Sequence, residues 1–201
     1  MIRFNFKSLG VVVILLFGLS FVRLAFGDEV TDAINEALQS YQEGNYSEAM
    51  TSLNFASQLI GQKKGEDLQS LLPEPLNGWE ATETSSQAMG AAMLGGGVSA
   101  ERRYKKDAAS VTVQIIADSP MLQGMMMMFS NPMLAGADGG KMEKIAGEKA
   151  IVNYKEQQKN GKINLVIANR FLVTVEGDEA SLADLKAYAT KIDYKKLAAM
   201  Q

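Results

Sequence analysis

The sequence predicts an α+β protein in which an N-terminal helical hairpin precedes an antiparallel sheet covered on one face by helices. Two observations carry this prediction. Apolar residues recur at three- and four-residue steps up to residue 60, as in amphipathic helices, and beyond residue 76 they alternate with polar residues, as in strands. The elements of the second part then follow in the order strands, helix, strands, helix, which favours an antiparallel sheet with helices packed on it.

The first 27 residues have the layout of a secretory signal peptide. Arg3 and Lys7 give a positive start, 9–22 is a continuous apolar run, and 25–27 offers small residues at the spacing that a signal peptidase recognises. A membrane-spanning helix needs about 20 apolar residues, and this run is shorter. We therefore expect cleavage before Asp28, a periplasmic location and no membrane span after cleavage.

Composition excludes several classes of activity. The chain has no histidine and no cysteine, so it lacks the usual near-neutral acid–base group, the commonest metal ligand, a thiolate nucleophile and disulfides. Its 20 basic and 23 acidic residues include no basic cluster, which argues against a nucleic-acid partner. The prediction is a protein that is not an enzyme and has no cofactor. A cell-wall hydrolase that uses only carboxylates is the enzymatic alternative.

Residues 28–72 are predicted to form the helical hairpin and a helical extension, and 73–201 the α+β domain. The boundary is Pro73-Glu74-Pro75, because proline cannot continue a helix. The apolar positions of both helices are expected to face inward: Val30, Ala33, Ile34, Ala37, Leu38 and Tyr41 in the first, and Tyr46, Ala49, Met50, Leu53, Ala56, Leu59 and Ile60 in the second.

The run from Gly44 to Ala49, followed by Leu53 and Ala56, resembles the second half of a tetratricopeptide repeat. The resemblance covers one repeat unit, and Gly61 stands where the repeat has a proline. It implies either a groove that docks a peptide or protein, or a lone hairpin that packs on the next domain.

The alternating pattern predicts strands at 98–105, 108–116, 150–154, 163–168 and 171–176, with a strand entry at Gly78-Trp79-Glu80 and a surface loop over 85–97. Asn160-Gly161 is predicted as a type I′ turn, because both central residues of that turn need positive φ. Asn169-Arg170 is predicted as the next tight connection. A C-terminal helix with Leu182, Leu185, Ala189 and Ile192 on its apolar face is expected to begin near Asp178 or Ser181.

This arrangement resembles the PsbP-like sandwich, a family of small domains in which helices pack on a sheet. The resemblance is carried by the paired strands 98–104 and 108–116, the helical insert and the final hairpin, and it spans most of 79–197. It implies a binding or assembly module rather than an enzyme, and it transfers no catalytic or ligand-binding residue.

Six of the twelve methionines lie within 120–135, where Met121, Met125 and Met128 share a predicted helix face with Leu122 and Phe129. Three interpretations remain open: packing over the sheet, an adaptable apolar surface for a partner or lipid-like ligand, and capture of Cu(I) by thioethers. The candidate contact residues are Met121, Met125, Met128 and Phe129, with Tyr41 and Tyr46 of the hairpin as the second choice.

Together these observations predict an exported binding or accessory module that recognises an envelope protein or an apolar ligand. A Cu(I)-binding protein that uses methionine, or the carboxylate-only hydrolase, is the alternative. No metal site is assigned to particular residues.

Overall fold

The computed structural model describes residues 28–88, 97–137 and 139–200, and it confirms the α+β class. The helices are α1 (Glu29–Gln42), α2 (Tyr46–Gln69), α3 (Met121–Ser130), α4 (Pro132–Ala137), α5 (Leu182–Lys191) and α6 (Tyr194–Ala199). The strands are β1 (Glu80–Ala88), β2 (Val98–Lys106), β3 (Ala109–Ala117), β4 (Lys141–Ile145), β5 (Glu148–Lys155), β6 (Asn160–Ile167) and β7 (Phe171–Asp178). The predicted signal peptide lies outside the described residues. Within the described ranges, no helix is long and apolar enough to cross a membrane.

The seven strands of the described ranges form one antiparallel sheet in the order β1-β2-β3-β7-β6-β5-β4. Side chains alternate between the two faces of a sheet, and one face holds the main core, with Val113, Ile115 and Val173 fully buried beneath α5 and α6. Helix α3 covers one end of the opposite face, where Leu122 packs with Ile116 and with Leu172 of β7. The sheet therefore carries helices on both faces, rather than on one face as predicted.

The predicted helical extension is the C-terminal half of α2, which runs without interruption through Gly61 and Gly65. A Cβ atom on Gly61 would lie 2.6 Å from the Cβ of Ala88, and one on Gly65 would lie 3.0 Å from the Cβ of Ser86. The two glycines thus let α2 lie directly against β1. Because Leu68 is also buried in the sheet core, this half of α2 packs with the sheet, and the N-terminal half packs with α1.

The segment after α2 is fixed to the sheet by aromatic side chains. The Pro73 carbonyl accepts hydrogen bonds from the Tyr104 hydroxyl and from Nη1 of Arg102, and the Tyr188 hydroxyl accepts one from the Leu76 amide at 3.4 Å. The rings of Tyr104 and Tyr188 lie 4.3 Å apart between centroids. Burial raises the pKa of the Tyr104 hydroxyl, and it raises the pKa of Tyr188 to about 12. Both hydroxyls therefore stay protonated and bonded to this segment near neutral pH.

Several local predictions are confirmed. Asn169 and Arg170 lie in the tight connection between β6 and β7, in which Ala168 and Asn169 have φ values of 51° and 54°. Helix α5 begins after Ser181, whose hydroxyl accepts from the Asp184 amide while the Asp184 carboxylate accepts from the Ser181 amide.

Two local predictions are wrong. Asn160 and Gly161 lie inside β6, and the chain reverses earlier, in a 3₁₀ turn at Glu156–Gln158 followed by Lys159 at φ 46°. A Cβ on Gly161 would overlap the backbone of Asn153 in β5, so this glycine permits a close strand contact rather than a turn. The loop predicted over 85–97 is also misplaced at its start, because 85–88 continue β1 in register with β2; residues 89–96 lie outside the described ranges.

Candidate functional site

Helices α1 and α2 pack against each other through small side chains. The buried positions are Ala33, Ala37 and Ser40 of α1 and Ala49, Ser52 and Ala56 of α2, none more than 8% exposed. Side chains of this size allow two helices to approach closely, so large side chains do not fit between them. The interface of the hairpin is therefore made of alanine and serine.

The prediction that the large apolar residues of the hairpin face inward is wrong for most of them. Their exposed fractions lie between 44% and 65% at Ile34, Leu38, Tyr41, Tyr46, Met50, Leu53 and Ile60. Val30 and Leu59, which were predicted to face inward as well, are half-buried. The prediction is confirmed for Ala33, Ala37, Ala49 and Ala56, which are buried, whereas most of the large apolar residues lie on the exposed side of each helix.

The exposed large apolar residues of the two helices, apart from Phe55, lie on one side of the hairpin. In α1, Ile34 and Leu38 each follow a buried alanine by one position, and in α2 Met50 likewise follows Ala49. One position is a rotation of about 100° in an α-helix. Because antiparallel helices turn in opposite senses when viewed from one end, these rotations bring both rows to the same side. At the turn between α1 and α2 the two rows meet, and the ring centroids of Tyr41 and Tyr46 are 5.7 Å apart.

We call this surface the apolar hairpin face and define it by Ile34, Leu38, Tyr41, Tyr46, Met50 and Leu53. Its spacing is that of a helix-packing seam. The residues of α1 are separated by four and three positions. In α2 the positions 46, 50, 53, 57 and 60 continue the alternation of four and three, and all of them except Ser57 carry apolar side chains. This is the repeat by which one helix presents side chains to another in a coiled coil.

The other side of the hairpin is acidic. Asp32, Glu36 and Glu48 each precede a buried alanine by one position, which turns them away from the apolar hairpin face. Residues 28–62 contain six acidic residues and no lysine or arginine. Phe55 lies on this acidic side and is 51% exposed, because it is about 200° around the helix from Leu53. The hairpin is thus amphipathic, with its apolar side uncovered in the described structure.

An ion pair closes the open end of the hairpin. The Lys63 ammonium lies 2.8 Å from the Asp28 carboxylate, which joins the start of α1 to α2. The hydrogen bond from Lys63 holds the pKa of the Asp28 carboxyl below its usual value. Both groups are more than half exposed, so this pair orients the helix start more than it stabilises the fold.

The predicted contact residues of the methionine-rich segment fall into two groups. Met121 is 53% exposed, whereas Met125, Met128 and Phe129 are half-buried. Met125 packs on the small cluster beneath α3. Helix α3 and the C-terminal half of α2 lie on opposite faces of the sheet, since Ile116 under α3 alternates with the core residues of β3. The structure therefore does not join these residues and the hairpin tyrosines into one site.

The described residues contain no group of three or more histidine, cysteine, aspartate or glutamate side chains that could hold a metal ion. The carboxyl groups of Asp28 and Asp118 have clearly shifted pKa values, and both are lowered, chiefly by hydrogen bonds from Lys63 and Arg170. The general acid of a glycosidase needs a raised pKa. The pKa values of Asp28 and Asp118 are therefore shifted in the opposite direction from the one that a general acid needs.

The chain matches no protein-family model, no curated protein and no solved structure. The resemblances to a tetratricopeptide repeat and to the PsbP-like sandwich consequently rest on sequence patterns alone.

Proposed function

We propose that this protein is an exported, non-enzymatic binding module that recognises a helical segment of another envelope protein through the apolar hairpin face. The observation that carries the proposal is the exposure of six large apolar side chains, each 45–65% accessible, on one side of α1 and α2. Soluble monomers rarely expose a large contiguous apolar patch unless it is a contact surface.

The spacing of the face supports a helical partner. Side chains separated alternately by four and three positions fit between those of a second helix, and docking of an amphipathic helix on a groove is a recurrent mode of recognition. The groups beside this seam are polar but uncharged, as at Thr31, Asn35 and Asn54. The acidic residues on the other side remain solvated and do not oppose the approach of a partner.

Composition and architecture support a binding role over catalysis. The chain lacks histidine and cysteine, and the main core of the sheet is filled by apolar side chains. The sheet then serves as a rigid base for α2, and α2 presents the apolar hairpin face.

Affinity capture from periplasmic extract tests the proposal. The purified protein and two variants serve as bait: Leu38→Ser/Leu53→Ser within the face, and Phe55→Ser on the acidic side as the matched control. We expect one envelope protein to be retained by the wild type and by Phe55→Ser, and lost at least tenfold with the double variant. Equal retention by all three baits would remove the apolar hairpin face as the contact surface.

Export is tested separately by N-terminal sequencing of the protein purified from its native source. The expected mature terminus is Asp28, in the periplasmic fraction. Recovery of residues 1–27 on the protein in the membrane fraction would contradict export with cleavage.

A further inference from the structure

A cleft of about 560 Å³ opens between the C-terminal half of α3 and the β4–β5 turn. It lies on the sheet face that α3 covers, opposite the face that packs on α2. Its size is within the range of small-molecule sites, about 300–1,000 Å³.

One wall of the cleft is apolar. Met126 and Phe129 of α3 and Val166 of β6 line it, and all three are half-buried. Ser130, Gly147 and Asn169 also line the cleft. Val166 also packs against the cluster of Ile116, Leu122 and Leu172, so the cleft continues the apolar region beneath α3. The flexible thioether side chain of Met126 can adapt to an apolar ligand of irregular shape.

The rim of the cleft is cationic. Lys144 of β4 and Lys149 of β5 both line it, and they are directly opposite each other in the antiparallel register. Two like charges in that position repel each other. Among the described residues, no carboxylate lies within 4.0 Å of either ammonium. The pair therefore presents two uncompensated positive charges beside an apolar wall.

One carboxylate borders the cleft, that of Glu148. Because side chains alternate along a strand, Glu148 is directed to the opposite face of the sheet from Lys149. Its charge contributes to the raised pKa of Tyr194, a core residue of that opposite face, after the larger effect of burial. Glu148 therefore does not neutralise the lysine pair from within the cleft.

We propose that this cleft binds an amphipathic anion with a medium-length alkyl chain. The chain lies against Met126, Phe129 and Val166, and the anionic head accepts hydrogen bonds from Lys144 and Lys149. The site is separate from the apolar hairpin face, so its occupancy does not depend on the proposed recognition of a helical partner. A free fatty carboxylate and the headgroup region of an anionic lipid share this chemistry, and the experiment separates them.

Displacement of 11-(dansylamino)undecanoate, followed by fluorescence, tests the proposal on the full-length mature protein. Decanoate and decyltrimethylammonium compete below their micelle concentrations, and decanol competes below its solubility limit. We expect decanoate to displace the probe at least tenfold more strongly than the other two, since charge-assisted hydrogen bonds hold the head. Equal displacement by decanol would overturn the role of the lysines, and absence of probe binding would overturn the site.

Variants then locate the binding. Lys144→Gln/Lys149→Gln is expected to weaken decanoate about tenfold or more, whereas Lys141→Gln/Lys162→Gln, which removes the same charge outside the cleft, is expected to leave it within twofold. Met126→Gln is expected to weaken the chain contact, since it places a polar amide at a half-buried position of the apolar wall. Unchanged binding in the Lys144→Gln/Lys149→Gln variant would mean that these lysines only protect the edge of the sheet, β4 being its last strand.

Co-sedimentation with 3:1 phosphatidylcholine:phosphatidylglycerol vesicles distinguishes the two sources of the anion. Decanoate binding without vesicle binding identifies a free anion. Vesicle binding that is lost in the Lys144→Gln/Lys149→Gln variant identifies a lipid headgroup. Vesicle binding that survives in that variant, together with no decanoate binding, would overturn the proposal.

Discussion

In the sheet and the helices packed on it, large side chains are deeply buried, with Tyr104 and Phe171 of the strands and Tyr188 of α5 no more than 1% exposed. In the hairpin the relation is reversed, since alanine and serine are buried and leucine, methionine and tyrosine are exposed. Burial of large apolar side chains supplies most of the stability of a fold. The contrast therefore indicates that the sheet domain stabilises the molecule, while the apolar residues of the hairpin remain available for a contact outside it.

Helix α2 connects the two regions and shows the same contrast within one element. Its C-terminal half places Gly65 against β1 and buries Leu68 in the sheet core. Its N-terminal half buries only small residues against α1 and leaves Met50 and Leu53 exposed. A rigid helix anchored at one end holds the apolar hairpin face in a fixed position relative to the sheet.

The largest expected effect separates a leucine of each region. Leu165 in β6 is fully buried and Leu38 in α1 is 55% exposed. We expect Leu165→Ala to lower the free energy of unfolding by about 2–5 kcal/mol and Leu38→Ala to change it by less than about 0.5 kcal/mol. Urea denaturation followed by circular dichroism measures both. A comparable loss in the two variants would mean that Leu38 is covered within the protein itself.

A second comparison uses two glycines, each replaced by alanine. At Gly61 the new Cβ would meet Ala88 of β1, whereas at Gly124 in α3 nothing lies within 4 Å. We expect Gly61→Ala to lower the unfolding free energy by about 1–3 kcal/mol, because α2 must move away from β1. Gly124→Ala should raise it by about 0.5–1 kcal/mol, since alanine favours the helix. Thermal unfolding gives both signs, and stabilisation by Gly61→Ala would show that α2 does not lie tightly on β1.

Two tyrosines give a smaller effect. The Tyr104 hydroxyl donates to the Pro73 carbonyl in the core, whereas Tyr46 is 63% exposed on the hairpin. Removal of the hydroxyl in Tyr104→Phe should cost about 0.5–1.5 kcal/mol of unfolding free energy, and Tyr46→Phe should cost nothing measurable. Guanidinium denaturation of the two variants provides the measurement. No loss in Tyr104→Phe would indicate that the bond from Arg102 alone fixes Pro73.

The smallest expected effect concerns pH. Asp118 follows β3 and binds Arg170 at 3.1 Å and Lys64 of α2 at 2.9 Å. The hydrogen bond from Arg170 holds the pKa of Asp118 below its usual value. Because the folded pKa is lower than the unfolded value of about 3.9, this carboxylate stabilises the fold above that pH and ceases to do so as the pH falls through the folded pKa.

Asp118→Asn should therefore lower the unfolding free energy at pH 7 by less than about 1 kcal/mol, since the pair is partly exposed, and should have a smaller effect at pH 2. Denaturation at both pH values checks the sign. A larger destabilisation at pH 2 than at pH 7 would contradict the assignment, and 1 M salt should reduce the effect at pH 7.

Much of the fold could be predicted from the sequence because its elements have local causes. Alternation predicted the five strands β2, β3, β5, β6 and β7, and the start of α5 follows from Ser181 and Asp184, which interact within one helical turn. Strand β4 was not predicted, because all but its last residue are exposed or half-buried and no apolar alternation marks it. The Asn160-Gly161 turn was wrongly predicted because the reason for Gly161 is not local. That glycine accommodates the backbone of Asn153 in the neighbouring strand, a contact that no sequence spacing reveals.

The candidate site was harder to predict for the same reason. Periodicity identifies an apolar stripe on a helix, but the side that is covered depends on the partner helix. In α1, for example, Ala33 and Ile34 are adjacent in the sequence, and Ala33 is buried in the helix interface while Ile34 is exposed. One signal was present in the sequence: the spacing of four and three positions from Tyr46 to Ile60 is typical of helices that pack on other helices.

Site-specific photo-crosslinking in intact cells tests the central claim most directly. A benzophenone amino acid replaces Met50 on the apolar hairpin face or Phe55 on the acidic side of the same helix; the two native side chains are exposed by 65% and 51%. We predict that illumination joins the Met50 position to a helical segment of one envelope protein and leaves the Phe55 position without that adduct. Adducts of equal yield at both positions, or an adduct at Phe55 alone, would contradict the claim that the apolar hairpin face is the recognition surface.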